Sequence, residues 1–86
     1  MSYIEICTTT DNEEVVSTIK DFLLTQKLSP CIQIIPNIDS SYVWNDKNVT
    51  SKEFLVKIKT TKKHKTKIST KIIHTKLNPL LILYFI

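Results

Sequence analysis

The 86-residue chain is long enough for one small domain, spanning 1–86, and its two cysteines exclude a disulfide-built scaffold. It contains no glycine, alanine or arginine, which excludes the Gly-rich phosphate loop and the dinucleotide fingerprint, since both bring backbone amides close to a pyrophosphate. The net charge of +4 divides into −4 over residues 1–50 and +8 over 51–86, where nine lysines stand against one carboxylate, Glu53.

Tyr3-Ile4-Glu5-Ile6-Cys7 reads as a first strand, rich in β-formers. Thr10-Asp11-Asn12-Glu13 fits the capping-box pattern, with Asp11 and Glu14 as an offset alternative. After it, Val15, Val16, Ile19, Phe22, Leu23 and Leu28 recur at helical spacing, and Ser29-Pro30 stops the helix. Cys31 to Ile35 opens a second strand, interrupted at Pro36-Asn37 and resumed through Ser41-Tyr42-Val43-Trp44. Asn45-Asp46 stands where a two-residue hairpin turn is needed, and a third strand runs from Val49 to Thr60. Residues 61–76 form a weaker helix with Ile68 and Ile72 on one face. Asn78-Pro79 breaks it, and Leu80 to Ile86 is the fourth strand.

The order βαββαβ predicts an α+β, ferredoxin-like domain: an antiparallel sheet in the order 4-1-3-2 with two helices on one face. The first two strands then run parallel, which predicts Cys7 and Cys31 about 15–20 Å apart along the strands and therefore no disulfide between them. The same topology groups Cys7, Asp11, Asn45, Asp46 and His74 at one edge. Cys31 is expected to be a buried core thiol, and His64 to be solvated.

The most specific stretch is Ser29 to Thr60. It holds Pro30-Cys31-Ile32, Ile35-Pro36-Asn37-Ile38, Ser40-Ser41-Tyr42-Val43-Trp44-Asn45-Asp46-Lys47 and Glu53-Phe54-Leu55-Val56-Lys57-Ile58-Lys59-Thr60. This closely resembles the CutA divalent-cation tolerance family, whose members read A-A-C-V-N-I-V-P-G-x-x-S-x-Y-x-W-x-G-K and then E-V-x-L-x-I-K-T. Cys31, Pro36, Ser40, Tyr42, Trp44, Lys47, Glu53, Lys59 and Thr60 match without a gap. The resemblance implies a ferredoxin-like domain that forms a homotrimer, its long second and third strands pairing with neighbouring subunits.

The departures are as informative. Asn37 and Asp46 stand where the family has glycine, so left-handed backbone is expected at Asn37 and in the Asn45-Asp46 turn. The family pattern H-P-Y-E-V-P-E aligns with His74 to Leu80, where both glutamates have become leucine, at Leu77 and Leu80. The sequence stops where family members usually continue into a C-terminal helix, so a short, divergent member is expected. In the family, a cysteine ending the first strand and the histidine of H-P-Y are associated with copper. The positions that carry over are Cys7 and His74, a pair whose softness suits copper or another divalent cation as cofactor. Asp11, or a group across a subunit boundary, would complete the set. The competing structural reading makes Cys7 a strand-end thiol and His74 a partner of the helix dipole. Tyr42, Trp44, Lys47, Glu53 and Lys59 are expected to line the interface or cleft between protomers.

No catalytic triad or metal-hydrolase motif is present, so the chain is expected not to be an enzyme. RNA-recognition domains share its element order, but Ser51 to Ile58 has one aromatic, no glycine, and a glutamate where phosphate would pass. With arginine absent and no aromatic between Leu55 and Leu83, no nucleic acid is expected as partner. No apolar run is long enough for a bilayer, and no signal-peptide pattern opens the chain, so a cytoplasmic protein without a membrane partner is expected. Besides metal tolerance, a trimeric small-molecule sensor with an inter-subunit cleft fits the same features.

Overall fold

In the computed structural model, which describes residues 3–75 and the backbone of Tyr84 and Phe85, the elements follow the predicted order. They are β1 (Tyr3–Thr10), α1 (Glu13–Thr25), β2 (Cys31–Trp44), β3 (Lys47–Thr61), α2 (Lys65–Thr75), entered through a 3₁₀ turn at Lys62–His64, and β4 (Tyr84–Phe85). β1 and β2 both pair antiparallel with β3, and β4 pairs with β1 through Ile6–Phe85 and Cys7–Tyr84, so the sheet reads β2-β3-β1-β4. The rest of the strand predicted from Leu80 to Ile86, the Asn78-Pro79 break, and Leu77 lie outside the described residues.

The core follows from two periodicities meeting. Ile4 and Ile6 of β1 and Val56 and Ile58 of β3 alternate onto one sheet face. Val15, Val16, Ile19 and Leu23 make the inward face of α1, and Ile68 and Ile72 that of α2. Phe22 joins the helices, with the Lys71 ammonium 5.0 Å from its ring centroid. Among the described residues no helix is long and apolar enough to cross a membrane.

Two local expectations change. β1 runs on to Thr10, paired with Phe54, and α1 begins only at Glu13, so Thr10 stands two residues before the cap position. Asn12 is the N-cap instead: its Oδ1 accepts from the N–H of Glu14 (2.8 Å) and Val15 (3.4 Å), while Thr10 Oγ1 accepts from Asn12 N–H. Cys7 and Cys31 are both free, but not for the reason given. They sit opposite Lys57 and Lys59, an offset of about 7 Å along the strands, and it is the intervening β3 that keeps them apart.

Among the described residues, the glycine-free chain turns corners on four left-handed residues. Asn37 (φ 60°), Asn45 (φ 50°) and Asp46 (φ 62°) bear out the expectation, the last two forming the β2–β3 turn as a type I′ pair would. Lys27 (φ 55°) is the fourth, and nothing in its residue type signals it. It ends α1 in a Schellman motif: Lys27 N–H donates to Leu24 O (3.2 Å) and Leu28 N–H to Leu23 O (2.9 Å), with Leu28 and Leu23 both in the core.

β2 and β3 are 14 and 15 residues long against eight in β1, so the hairpin overhangs the domain and the molecule measures 42 × 22 × 21 Å. The Asn45-Asp46 tip therefore stands about 30 Å from Cys7 along the strands, outside the neighbourhood predicted for it.

Because the αL region costs a lysine about 1 kcal/mol that glycine avoids, Lys27→Gly is expected to raise the unfolding free energy by about 0.5–1 kcal/mol. Asn12→Ala is expected to lower it by about 1 kcal/mol. Urea unfolding followed by circular dichroism checks both, and a destabilised Lys27→Gly would contradict the strain at that cap.

Candidate functional site on the open sheet face

Residues paired across an antiparallel ladder share a face, and neighbours along a strand alternate. Ile4, Ile6 and Thr8 pair with Thr60, Ile58 and Val56, and all six are buried on the helix side. Glu5, Cys7 and Thr9, with their partners Lys59, Lys57 and Leu55, take the other side, which the helices leave open. β2 follows this rule as far as Ile35, with Cys31 opposite Lys59 and Gln33 opposite Lys57. Cys31 is therefore an exposed thiol on the open face of an edge strand, not the buried core residue expected.

Between Ile35 and Ile38, β2 carries one residue more than β3. Asn37 in this bulge holds the left-handed backbone that such insertions use. Beyond it Ile38 pairs with Glu53, Ser40 with Ser51, Tyr42 with Val49, and Trp44 with Lys47. The extra residue turns Tyr42 and Trp44 onto the face that carries Cys7, Glu53 and Lys59; without it they would point to the opposite side. Six of the predicted site residues thus share one face: Cys7, Tyr42, Trp44, Lys47, Glu53 and Lys59. They form a strip, not one pocket, since Lys47 and Lys59 are about 40 Å apart along β3.

Cys7 is buried at 7% exposure. Its Sγ donates to Glu5 Oε1 at 3.4 Å, and the Lys57 ammonium lies 3.7 Å from the same oxygen. Burial, then the hydrogen bond to Glu5 and that carboxylate's charge, push the thiol's pKa up, against a weaker downward pull from Lys57. At neutral pH Cys7 is a protonated donor, so ligating a metal requires it to lose that proton.

His74 is exposed in the last turn of α2, in the helix layer. Asp11 is exposed between β1 and the N-cap of α1. Among the described residues no three His, Cys, Asp or Glu side chains come close enough to hold a metal ion, so Cys7, His74 and Asp11 do not assemble as a set within them. Sequence reading also missed Glu5 and Lys57, the groups that set the state of Cys7. The signal available was the period-2 spacing of Glu5 and Cys7; Lys57 needed the strand register. His64, expected in solvent, is half-buried beside a cavity.

The sequence profile of the CutA1 divalent ion tolerance protein family matches residues 4–79. A divalent-cation tolerance protein CutA of Thermus thermophilus is 38% identical over 53 residues, 62% of this chain and 52% of the relative, so the aligned stretch spans about half of that protein. The structure of CutA1 from Ehrlichia chaffeensis superposes with a TM-score of 0.87 at 29% identity, over 99% of this chain and 79% of that one. The Thermus thermophilus structure superposes with a TM-score of 0.88 at 25% identity, over 98% and 82%. With the profile spanning all but the chain's ends and the fold shared throughout, this chain belongs to the CutA1 divalent ion tolerance family.

Proposed function

We propose that this chain acts in divalent-ion tolerance as a homotrimer, in which copper or another divalent cation is held by Cys7, His74 and a group supplied on assembly. The observation that carries the reading is the overhanging hairpin. β2 is an edge strand of 14 residues, and Ile35 (43%), Val43 (63%) and Trp44 (40%) are exposed on it. A long apolar edge invites further strand pairing, and closed assembly with copies of itself removes that hazard. The number three rests on the family resemblance. Thiolate with imidazole suits copper or zinc, and relatives bear the name of divalent-cation tolerance proteins.

A second reading, ligand sensing in the cleft between protomers, draws on Glu53. It is 7% exposed, makes no ion pair among the described residues, and shares its face with Tyr42 and Trp44. A thermal-shift screen of metals against common metabolites separates the two readings, because a true ligand raises the midpoint with concentration.

Light scattering is expected to give about 30 kDa, three times the 10.0 kDa chain, and Val43→Lys with Trp44→Lys is expected to shift it to monomer. A 10.0 kDa particle for the unaltered chain would contradict the assembly. Zinc, which takes both ligand types without redox chemistry, is expected to bind at least about tenfold more weakly to the Cys7→Ser, His74→Ala double variant. Because binding displaces the thiol proton, affinity in the unaltered chain should climb with pH below the elevated thiol pKa, by about tenfold per unit at most. A pH-independent affinity measured by calorimetry would remove Cys7 as a ligand.

A further inference from the structure

We propose that the cavity between the end of α1 and the start of α2 binds a small aromatic phosphate ester. The cavity has a volume of about 470 Å³, within the range of small-molecule sites. Lys27, Lys63 and His64 line it, and no carboxylate is among its lining residues. None of these three has an ion-pair partner among the described residues. Two unpaired lysines beside a histidine around one hollow call for an anion.

The frame of the cavity is rigid. Thr60 Oγ1 donates to Leu28 O at 2.6 Å, and Ser29 Oγ to Lys59 O at 2.5 Å, tying the loop after α1 to the end of β3. Lys27 projects from a backbone fixed by the two bonds of the Schellman motif, in a conformation that glycine would hold with less strain.

The wall chemistry is compatible with phosphate: lysine ammoniums are compact point charges that can hold it without the planar fork of arginine, which the chain lacks. Beside the charges, Tyr3 (70% exposed) and the exposed Leu24 offer an apolar surface on which a flat ring can lie. The site is separate from the strip on the open sheet face and from Cys7 and His74.

Phenyl phosphate titrated into the ¹⁵N-labelled full chain, with inorganic phosphate and phenol in parallel, tests the assignment. Expected are saturable amide shifts confined to residues 27–29 and 61–64, with phenyl phosphate binding more tightly than either fragment. Lys27→Gln with Lys63→Gln should weaken binding about tenfold or more while leaving the rest of the spectrum unchanged. Lys67→Gln, on α2 away from the cavity, should bind as the unaltered chain does. Shifts spread evenly along the lysines of α2, or equal binding by the double variant, would overturn the site. Inorganic phosphate binding as tightly as phenyl phosphate would overturn the aromatic part of the ligand, and phenol doing so would overturn the phosphate.

Discussion

One inserted residue in β2 organises the working surface of this protein. The bulge at Pro36-Asn37 reverses the alternation of the strand, so that Tyr42 and Trp44 face the same way as Glu53, Lys59 and Cys7. Asn37 makes this possible by accepting left-handed backbone where glycine is the usual choice. The same device recurs at Asn45 and Asp46, which close the hairpin that the bulge re-aims. Composition, turn chemistry and site geometry are therefore linked. A chain without glycine keeps the fold by placing Asn, Asp and one Lys at the four left-handed positions among its described residues.

The open face carries the chemistry, and its electrostatics centre on Glu5. Burial first, and then this carboxylate as acceptor and charge, keep the Cys7 thiol protonated, while Lys57, paired with the same carboxylate, pulls the other way. In the proposed role, Cys7 would serve as a ligand only at the cost of that proton. His74 lies in the helix layer, and the described residues bring no third donor to the pair. Among the described residues the two groups lack a third donor, and the edge of the overhanging hairpin is uncovered; the proposed self-assembly would answer both.

Much of this was legible in the sequence because it rests on local signals. Helical spacing marked the inward face of α1, and Ile68 with Ile72 marked α2. Asn37 and Asp46 at glycine positions, and Asn45 in the turn, marked three of the four left-handed residues among those described. What escaped depends on register or length. The capping pattern at Thr10 is genuine, but pairing with Phe54 carried the strand through it, leaving Asn12 to cap. Cys31 looked like core because it sits in an apolar run, yet its pairing with Lys59 turns it outward. The hairpin tip was grouped with Cys7 from topology alone, without carrying the greater length of β2 and β3 over β1 into the distance. Lys27 went unseen because lysine carries no mark of a left-handed cap, and Lys57 because cross-strand partners follow from register alone.

The central claim is that the overhanging hairpin is completed by another copy of the chain. Amide hydrogen exchange along residues 38–44, measured across a dilution series, tests it most directly. The outward-pointing amides of β2 should be protected at high protein concentration and lose that protection on dilution, in step with dissociation. Fast exchange of those amides at every concentration would contradict the claim.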